Sequence, residues 1–113
     1  MIEKHYWKIK QAALNIDLCV VSKHHSIEEI QSYYDAGERI FAENRTAELV
    51  SKAAVLPKDI AWHYIGHLQR NKVKEILPIV SCIQSLDNIA LAKVIEKEAT
   101  KLNRTVDVLI ELH

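Results

Sequence analysis

The stretch Leu18-Cys19-Val20-Val21-Ser22-Lys23 is a short apolar run, rich in β-branched residues, that ends at a serine and a lysine. This composition predicts a buried β-strand with a cation at its C-terminal end. In parallel α/β sheets, ligands bind beyond the carboxyl ends of the strands, where loops converge and helix N-termini present free backbone N–H groups. Lys23 therefore lies where a functional side chain is expected.

Two interpretations of Lys23 follow from its position. A lysine held at an apolar strand end is a candidate for Schiff-base formation, because partial desolvation leaves the amine lone pair free to attack a carbonyl group. The alternative is that Lys23 simply ends the strand and extends its charged end into water. This stretch alone favours the second interpretation, since most lysines at strand ends have no further role.

The rest of the chain alternates predicted strands with predicted helices. An amphipathic helix over 2–15 precedes the first strand, and the Ser-x-x-Glu spacing of Ser26 and Glu29 predicts a capped helix that ends at Gly37. The remaining predicted strands cover 39–42, 60–65, 79–83 and 106–112. The remaining predicted helices cover 46–56, 71–77 and 89–102, the last ended by Asn103. This rhythm is typical of β/α units in a parallel sheet, and continuous apolar strands predict burial on both faces.

Length and composition limit the architecture. The chain has 113 residues, of which 49% are hydrophobic and 27% charged, as in a globular domain. We expect residues 1–113 to form a single domain, since no linker or low-complexity segment interrupts the pattern. Two architectures fit about five parallel strands: an open doubly wound sheet, or the first part of a (β/α)8 barrel, which needs about 200 residues when complete.

Charge and cysteine content exclude several classes of function. Fifteen basic and fifteen acidic residues cancel, so no overall field favours nucleic acid or an anionic membrane as a partner. No apolar stretch approaches the length needed to span a bilayer. The two cysteines, Cys19 and Cys82, lie in apolar runs and are expected to be buried free thiols, which suits a cytoplasmic protein.

Four short motifs occur along the chain in a recognisable order. They are Val20-Val21-Ser22-Lys23, Phe41-Ala42-Glu43-Asn44, Trp62-His63-Tyr64-Ile65-Gly66-His67-Leu68-Gln69-Arg70-Asn71-Lys72 and Ile83-Gln84-Ser85-Leu86-Asp87. The chain resembles, in these motifs, the pyridoxal phosphate homeostasis (YggS/PROSC) family, which is similar in fold to the N-terminal barrel of alanine racemase. The resemblance runs from about residue 17 to the end and covers the first half of a typical family member.

The resemblance implies a fold, a cofactor and a function. The fold is α/β, built of parallel β/α units as the first half of a modified TIM barrel, with about five strands and incomplete as given. The cofactor is pyridoxal 5′-phosphate (PLP), held through a Schiff base at Lys23. The implied function is non-catalytic, in intracellular PLP homeostasis, with PLP-dependent apo-enzymes as further partners. Asn44 would line the cofactor's side of the barrel.

Other candidate residues have simpler interpretations. His63 and His67 have the spacing of metal ligands on a helix, but four strand residues span about 13 Å, so we expect no metal site and instead a packed or pocket-lining His63. Ser85 and Asp87 are candidate helix caps, although Ser85 also ends the predicted fourth strand and is a candidate to face the ligand. The remaining residues are expected to be structural: His24 and His25 in a solvated loop, Arg70 to Lys74 at a helix start, and Trp62 and Tyr64 in the core.

The sequence also departs from the family pattern. His24-His25-Ser26 stands where the family usually has a threonine and a nearby proline, and Ala42 stands where it usually has glycine, which implies strain if that position needs a positive φ. In the family the PLP phosphate is held late in the barrel. Losing three charge-assisted hydrogen bonds of about 1.5 to 3 kcal/mol each would weaken binding about a thousandfold.

Two alternatives to the homeostasis function stay open. A PLP-dependent amino-acid racemase would need a second acid/base and a group that tunes the pyridine nitrogen, and the sequence identifies neither. A truncated family member without useful PLP binding would leave open sheet edges, which a partner half or self-association would have to cover.

Overall fold

One parallel sheet and the helices packed on it account for the fold over residues 2–112, which the computed structural model describes. The strands are β1 (Val20–Val21), β2 (Ile40–Glu43), β3 (Ala61–Tyr64), β4 (Val80–Leu86) and β5 (Asp107–Ile110). The helices are α1 (Lys4–Ala12), α2 (Ile27–Asp35), α3 (Thr46–Val55), α4 (Val73–Ile76) and α5 (Ile89–Lys101), with a 3₁₀ turn at Arg70–Lys72 before α4. The alternation of strands and helices is the predicted one.

The strand order decides between the two architectures. Each strand pairs in parallel with the strand that follows it along the chain, which gives the order β1-β2-β3-β4-β5. A doubly wound sheet reverses its strand order at a switch point, whereas a (β/α)8 barrel keeps the sequential order all the way round. No reversal occurs within residues 2–112, so the sheet has barrel topology.

Helix ends follow the predicted capping signals at one helix and depart from them at another. The Ser26 hydroxyl accepts the Glu29 backbone N–H at 3.1 Å, and the Glu29 carboxylate accepts the Ser26 backbone N–H at 3.0 Å, which completes the predicted capping box. The second of these bonds, helped by His25, lowers the pKa of Glu29 to about 2. At α5 the cap is Asn88, which accepts the Leu91 N–H at 2.8 Å.

The prediction that Ser85 or Asp87 caps α5 is therefore wrong. β4 extends through Leu86, three residues beyond its predicted end, so Ser85 lies within the strand and the cap position falls on Asn88. The predicted end of α5 is correct, because Asn103 has a φ of 52° directly after the helix.

The two faces of the sheet differ in what covers them. The outer face packs on the helices, and its fully buried core includes Phe41, Trp62, Tyr64, Val80 and Ile83, together with Ile30, Leu49, Ile76 and Leu91 from the helices. Trp62 and Tyr64 are thus core residues, as predicted. The inner face carries Val21, Ala42, His63, Cys82 and Asp107 side by side in register. In a closed barrel this face is the interior.

The predicted burial of every strand on both faces is wrong at the sheet edges. All four residues of β5 are exposed, and β1 shrinks to two residues, because each edge strand has a hydrogen-bonded neighbour on one side only within residues 2–112. For the same reason Cys19, just before β1, is exposed rather than buried. Cys82, in β4, is buried as predicted.

The helices are short. Within residues 2–112, none combines the length and apolar character that a bilayer crossing requires.

Candidate functional site

The carboxyl ends of β1 and β2 bring Lys23 and Asn44 to neighbouring positions. Beyond β1, the Ser22 N–H donates to the Ala42 carbonyl at 2.9 Å, which extends the pairing of the two strands to the residue before Lys23. Asn44 follows directly after β2. The backbone therefore places both residues at the C-terminal edge of the sheet, as predicted.

Lys23 lies in a tight turn. The His25 N–H donates to the Ser22 carbonyl at 3.1 Å, which closes the four-residue turn 22–25 with Lys23 as its second residue. His24, the third residue, has a φ of 66°. Lys23, His24 and His25 are all exposed. This confirms the prediction that the two histidines lie in a solvated loop.

The side chain of Lys23 is not desolvated, which agrees with the second interpretation, a lysine that extends into water. Its side chain is exposed because the strand before it is a two-residue edge strand rather than a buried central one. Its amine is therefore directly accessible to a small molecule from solvent. The strain considered for Ala42 is absent as well, since His24 and Asn103 are the only non-glycine residues with a positive φ in the described part of the chain.

A buried polar network lies directly behind this turn. Lys52 of α3 donates to the Glu43 carboxylate at 2.9 Å and to the Ser22 carbonyl at 3.2 Å. The Ser22 hydroxyl donates to the same Glu43 oxygen at 2.5 Å and lies 3.1 Å from the Ala42 carbonyl. All three polar side chains are buried, and that of Glu43 is completely so. The network ties the last residues of β1 and β2 to α3.

A second set of contacts fixes the backbone of Asn44. A Cβ on Gly66 would lie 2.2 Å from the Asn44 carbonyl oxygen, so only glycine allows this close approach. The Tyr64 hydroxyl lies 3.1 Å from the carbonyl oxygens of both Asn44 and His67. Burial raises the pKa of Tyr64, which keeps this hydroxyl protonated. Ser85 donates to the Gly66 carbonyl at 2.5 Å and so fixes Gly66 in turn.

His63 occupies the middle of the inner face. It is half-buried, pairs with Ala42 on one side and Cys82 on the other, and its Nδ1 accepts the Gln84 side-chain amide at 2.9 Å. Desolvation lowers the pKa of His63, although the nearby Asp107 carboxylate opposes this effect. Its ring is therefore neutral at pH 7, with Nε2 carrying the proton.

The structure separates the histidines that have metal-like spacing. His63 lies on β3, whereas His67 lies beyond the strand and is exposed. In residues 2–112 no group of histidine, cysteine, aspartate and glutamate side chains is arranged to hold a metal ion.

Sequence reasoning missed Lys52 and the bracing role of Tyr64 and Gly66. Lys52 follows Glu43 by nine residues across a loop and two turns of helix, a spacing that matches no periodic pattern. A lysine on an amphipathic helix ordinarily faces solvent. Tyr64 and Gly66 do belong to the third motif, and this was the one available signal. Nothing in the sequence, however, shows that this motif contacts Asn44.

Comparison with curated proteins returns a consistent set of relatives, although no protein-family model matches the chain. The pyridoxal phosphate homeostasis protein of Aquifex aeolicus is 44% identical over 87 residues, which are 76% of this chain and 38% of that protein. The protein of the same name from Synechocystis is 36% identical, over 87% of this chain and 46% of that protein. The one from Schizosaccharomyces pombe is 33% identical, over 94% of this chain and 46% of that protein.

Solved structures agree. PipY of Synechococcus elongatus without PLP matches with a TM-score of 0.83 and 32% identity, over 92% of this chain and 50% of that one. PipY with PLP bound matches with a TM-score of 0.79 and 31% identity, over 90% of this chain and 51% of that one. The chain thus spans about half or less of the length of these relatives and has the fold of half of a TIM-like barrel. From motifs, strand order and these matches together, the chain belongs to the pyridoxal phosphate homeostasis protein family.

Proposed function

We propose that this chain binds PLP at the carboxyl ends of β1 and β2, through Lys23, and serves PLP homeostasis without catalysing a reaction. The observation that carries the proposal is that an exposed lysine and Asn44 lie beyond the ends of two adjacent strands. The relatives are named for PLP homeostasis, and one solved PipY structure has PLP bound.

The residues at these strand ends fit the aldehyde end of PLP. When bound, PLP supplies an aldehyde, and its condensation with the Lys23 amine forms a C=N bond and releases water. The side-chain oxygen of Asn44 is buried and has no hydrogen-bond partner within residues 2–112. Because a buried polar atom without a partner is costly, a ligand that pairs with Asn44 is favoured.

The other predicted site residues take supporting roles in this proposal. His63 lines the inner face as a neutral imidazole, held in one orientation by Gln84. Ser85 acts on the site through the Gly66 carbonyl, and Gly66 in turn contacts the backbone of Asn44.

We also propose the setting in which this function operates. Residues 1–113 act as a single partial barrel domain in the cytoplasm, which suits two cysteines that are both free thiols. PLP-dependent apo-enzymes are the recipients of the cofactor, and self-association covers the open edges at β1 and β5.

Borohydride trapping tests the proposal even when PLP is held weakly. The chain is incubated with PLP and reduced with borohydride, which converts the C=N bond into a stable amine, and the modified lysines are identified by peptide mass mapping. We expect Lys23 to be the principal modified residue and Lys23→Ala to lose the visible absorption band of the Schiff base. Lys93→Ala, at an exposed lysine of α5, is the control. Equal labelling of Lys23 and Lys93 would refute the site.

Amino-acid racemisation is measured on the same PLP-loaded sample. We expect none above the rate of free PLP. A rate that depends on Lys23 would contradict the non-catalytic function and favour a racemase-like enzyme.

A further inference from the structure

Lys52 is a charged residue in a place where charge is expensive. Its side chain extends from α3 to Glu43 and is 10% exposed, and the side chain of Glu43 is completely buried. Burying a carboxylate and an ammonium group costs several kcal/mol per ion before their attraction is counted, and well-packed apolar residues often serve stability equally well. Stability alone is therefore a weak reason for this pair to be here.

Lys52 contacts the two residues that directly precede Lys23 and Asn44. Its ammonium group donates to Glu43, the residue before Asn44, and to the carbonyl of Ser22, the residue before Lys23. The same Ser22 carbonyl accepts the His25 N–H that closes the turn carrying Lys23. The Ser22 carbonyl oxygen thus accepts both the N–H that closes the turn and the ammonium group of the buried Lys52–Glu43 pair. Lys52 therefore connects the two strand ends that bear the proposed site.

The Glu43 carboxylate has little else to hold it. One of its oxygens receives both Lys52 and the Ser22 hydroxyl, whereas the other is buried without a hydrogen-bond partner within residues 2–112. Without Lys52, the carboxylate would keep only the Ser22 hydroxyl, and the Ser22 carbonyl would lose its link to α3. The turn that presents Lys23 would then keep its backbone bonds, the Ser22 hydroxyl bond and the His25–Glu29 contact, but it would have no link to α3.

We infer that Lys52 is a positioning residue for Lys23: it clamps the carboxyl ends of β1 and β2 so that the amine and Asn44 face one ligand. This inference rests on the proposed function. It assigns to Lys52 no contact with PLP, so its effect is on the geometry of the site.

The test compares Lys52→Met with Lys101→Met. Lys101 is also a lysine in an ion pair on a helix, with Glu98 at 3.3 Å, but it is exposed and lies on α5. Each protein is confirmed as folded by circular dichroism, incubated with PLP and reduced with borohydride. The readout is the labelling of Lys23 relative to that of Lys93 in the same sample. We expect this ratio to fall by about tenfold or more in Lys52→Met, as when a reacting group loses its fixed position, and to be unchanged in Lys101→Met.

A second variant separates positioning from folding. Lys52→Met leaves the Glu43 charge buried and unpaired, which lowers stability by itself. Glu43→Gln combined with Lys52→Met removes both charges, so we expect it to recover most of the thermal stability and none of the Lys23 labelling. A normal labelling ratio in either folded variant overturns the inference. Failure of the wild-type chain to label Lys23 above Lys93 would instead refute the proposed function, so the two failures are distinguishable.

Discussion

The central strands and the last strand are both apolar, yet they have opposite environments. Phe41 in β2 and Ile83 in β4 are completely buried, whereas Leu109 and Ile110 in β5 are 54% and 72% exposed. The central strands have a neighbour on each side and helices over their outer face. In the described part of the chain, 2–112, β5 pairs with β4 only. An apolar run therefore predicts a strand, but the elements around it decide whether that strand is buried.

The proposed site follows the same division. Ser22 and Glu43 are buried at the ends of their strands and are fixed by Lys52, while Lys23 is exposed immediately beyond them. A rigid, covered scaffold thus presents one accessible amine, an arrangement suited to a ligand that arrives from solvent.

Truncating a core residue gives the largest expected effect. We expect Phe41→Ala to lower the free energy of unfolding by about 3 to 5 kcal/mol, because the cavity left in a fully covered core cannot collapse. Leu109→Ala, the matched truncation in β5, should change it by less than about 0.5 kcal/mol. Urea unfolding followed by circular dichroism measures both. Similar losses in the two variants would mean that β5 is as well covered in solution as β2.

Adding a methyl group at Gly66 has the next largest effect. In Gly66→Ala the new Cβ meets the Asn44 carbonyl oxygen, which cannot move without shifting the end of β2. We expect a loss of about 1 to 3 kcal/mol in unfolding free energy, typical of overpacking, together with weaker borohydride labelling of Lys23 by PLP. Wild-type stability in this variant would show that the end of β2 yields easily and is no rigid scaffold.

Much of the central region was predictable from local signals. The capping box at Ser26, the end of α5 at Asn103 and the core role of Trp62 each follow from chemistry within a few residues. The placement of Lys23 and Asn44 just beyond β1 and β2 was predictable, because parallel strands end at the same edge of a sheet. Their proposed role as site residues comes from the family resemblance.

The features that local sequence signals did not predict depend on long-range packing. The exposure of Cys19 follows from the position of β1 at the sheet edge, which no local pattern encodes. The cap of α5 moved to Asn88 because β4 runs on through Leu86. Lys52 was missed because its role depends on a buried carboxylate nine residues earlier.

On the inner face, His63 is expected to have a smaller effect on the free energy of unfolding, and this effect depends on pH. Its pKa is lowered by desolvation, so the folded state binds fewer protons than the unfolded chain, and its contribution to stability is present above the ordinary pKa of 6.5 and is lost as pH falls below it. Protonation of Nδ1 would also break the hydrogen bond from Gln84, worth about 1 kcal/mol. We expect His63→Gln to flatten the dependence of unfolding free energy on pH between neutral and mildly acidic values. His67→Gln, at an exposed histidine, is the control, and an equal flattening there would contradict this assignment.

The smallest effect on stability is expected at the open edge itself. Ile110→Lys places a charge on a residue that is already 72% exposed, so the free energy of unfolding of the isolated chain should change by less than about 0.5 kcal/mol. A lysine on an edge strand disfavours pairing with another strand, so any self-association through β5 should weaken at the same time. Sedimentation velocity over a range of concentrations measures this, with Val55→Lys, at an exposed residue ending α3, as the control. A large loss of stability with unchanged association would mean that Ile110 is covered within each chain. The contrast between the central strands and β5 would then be wrong.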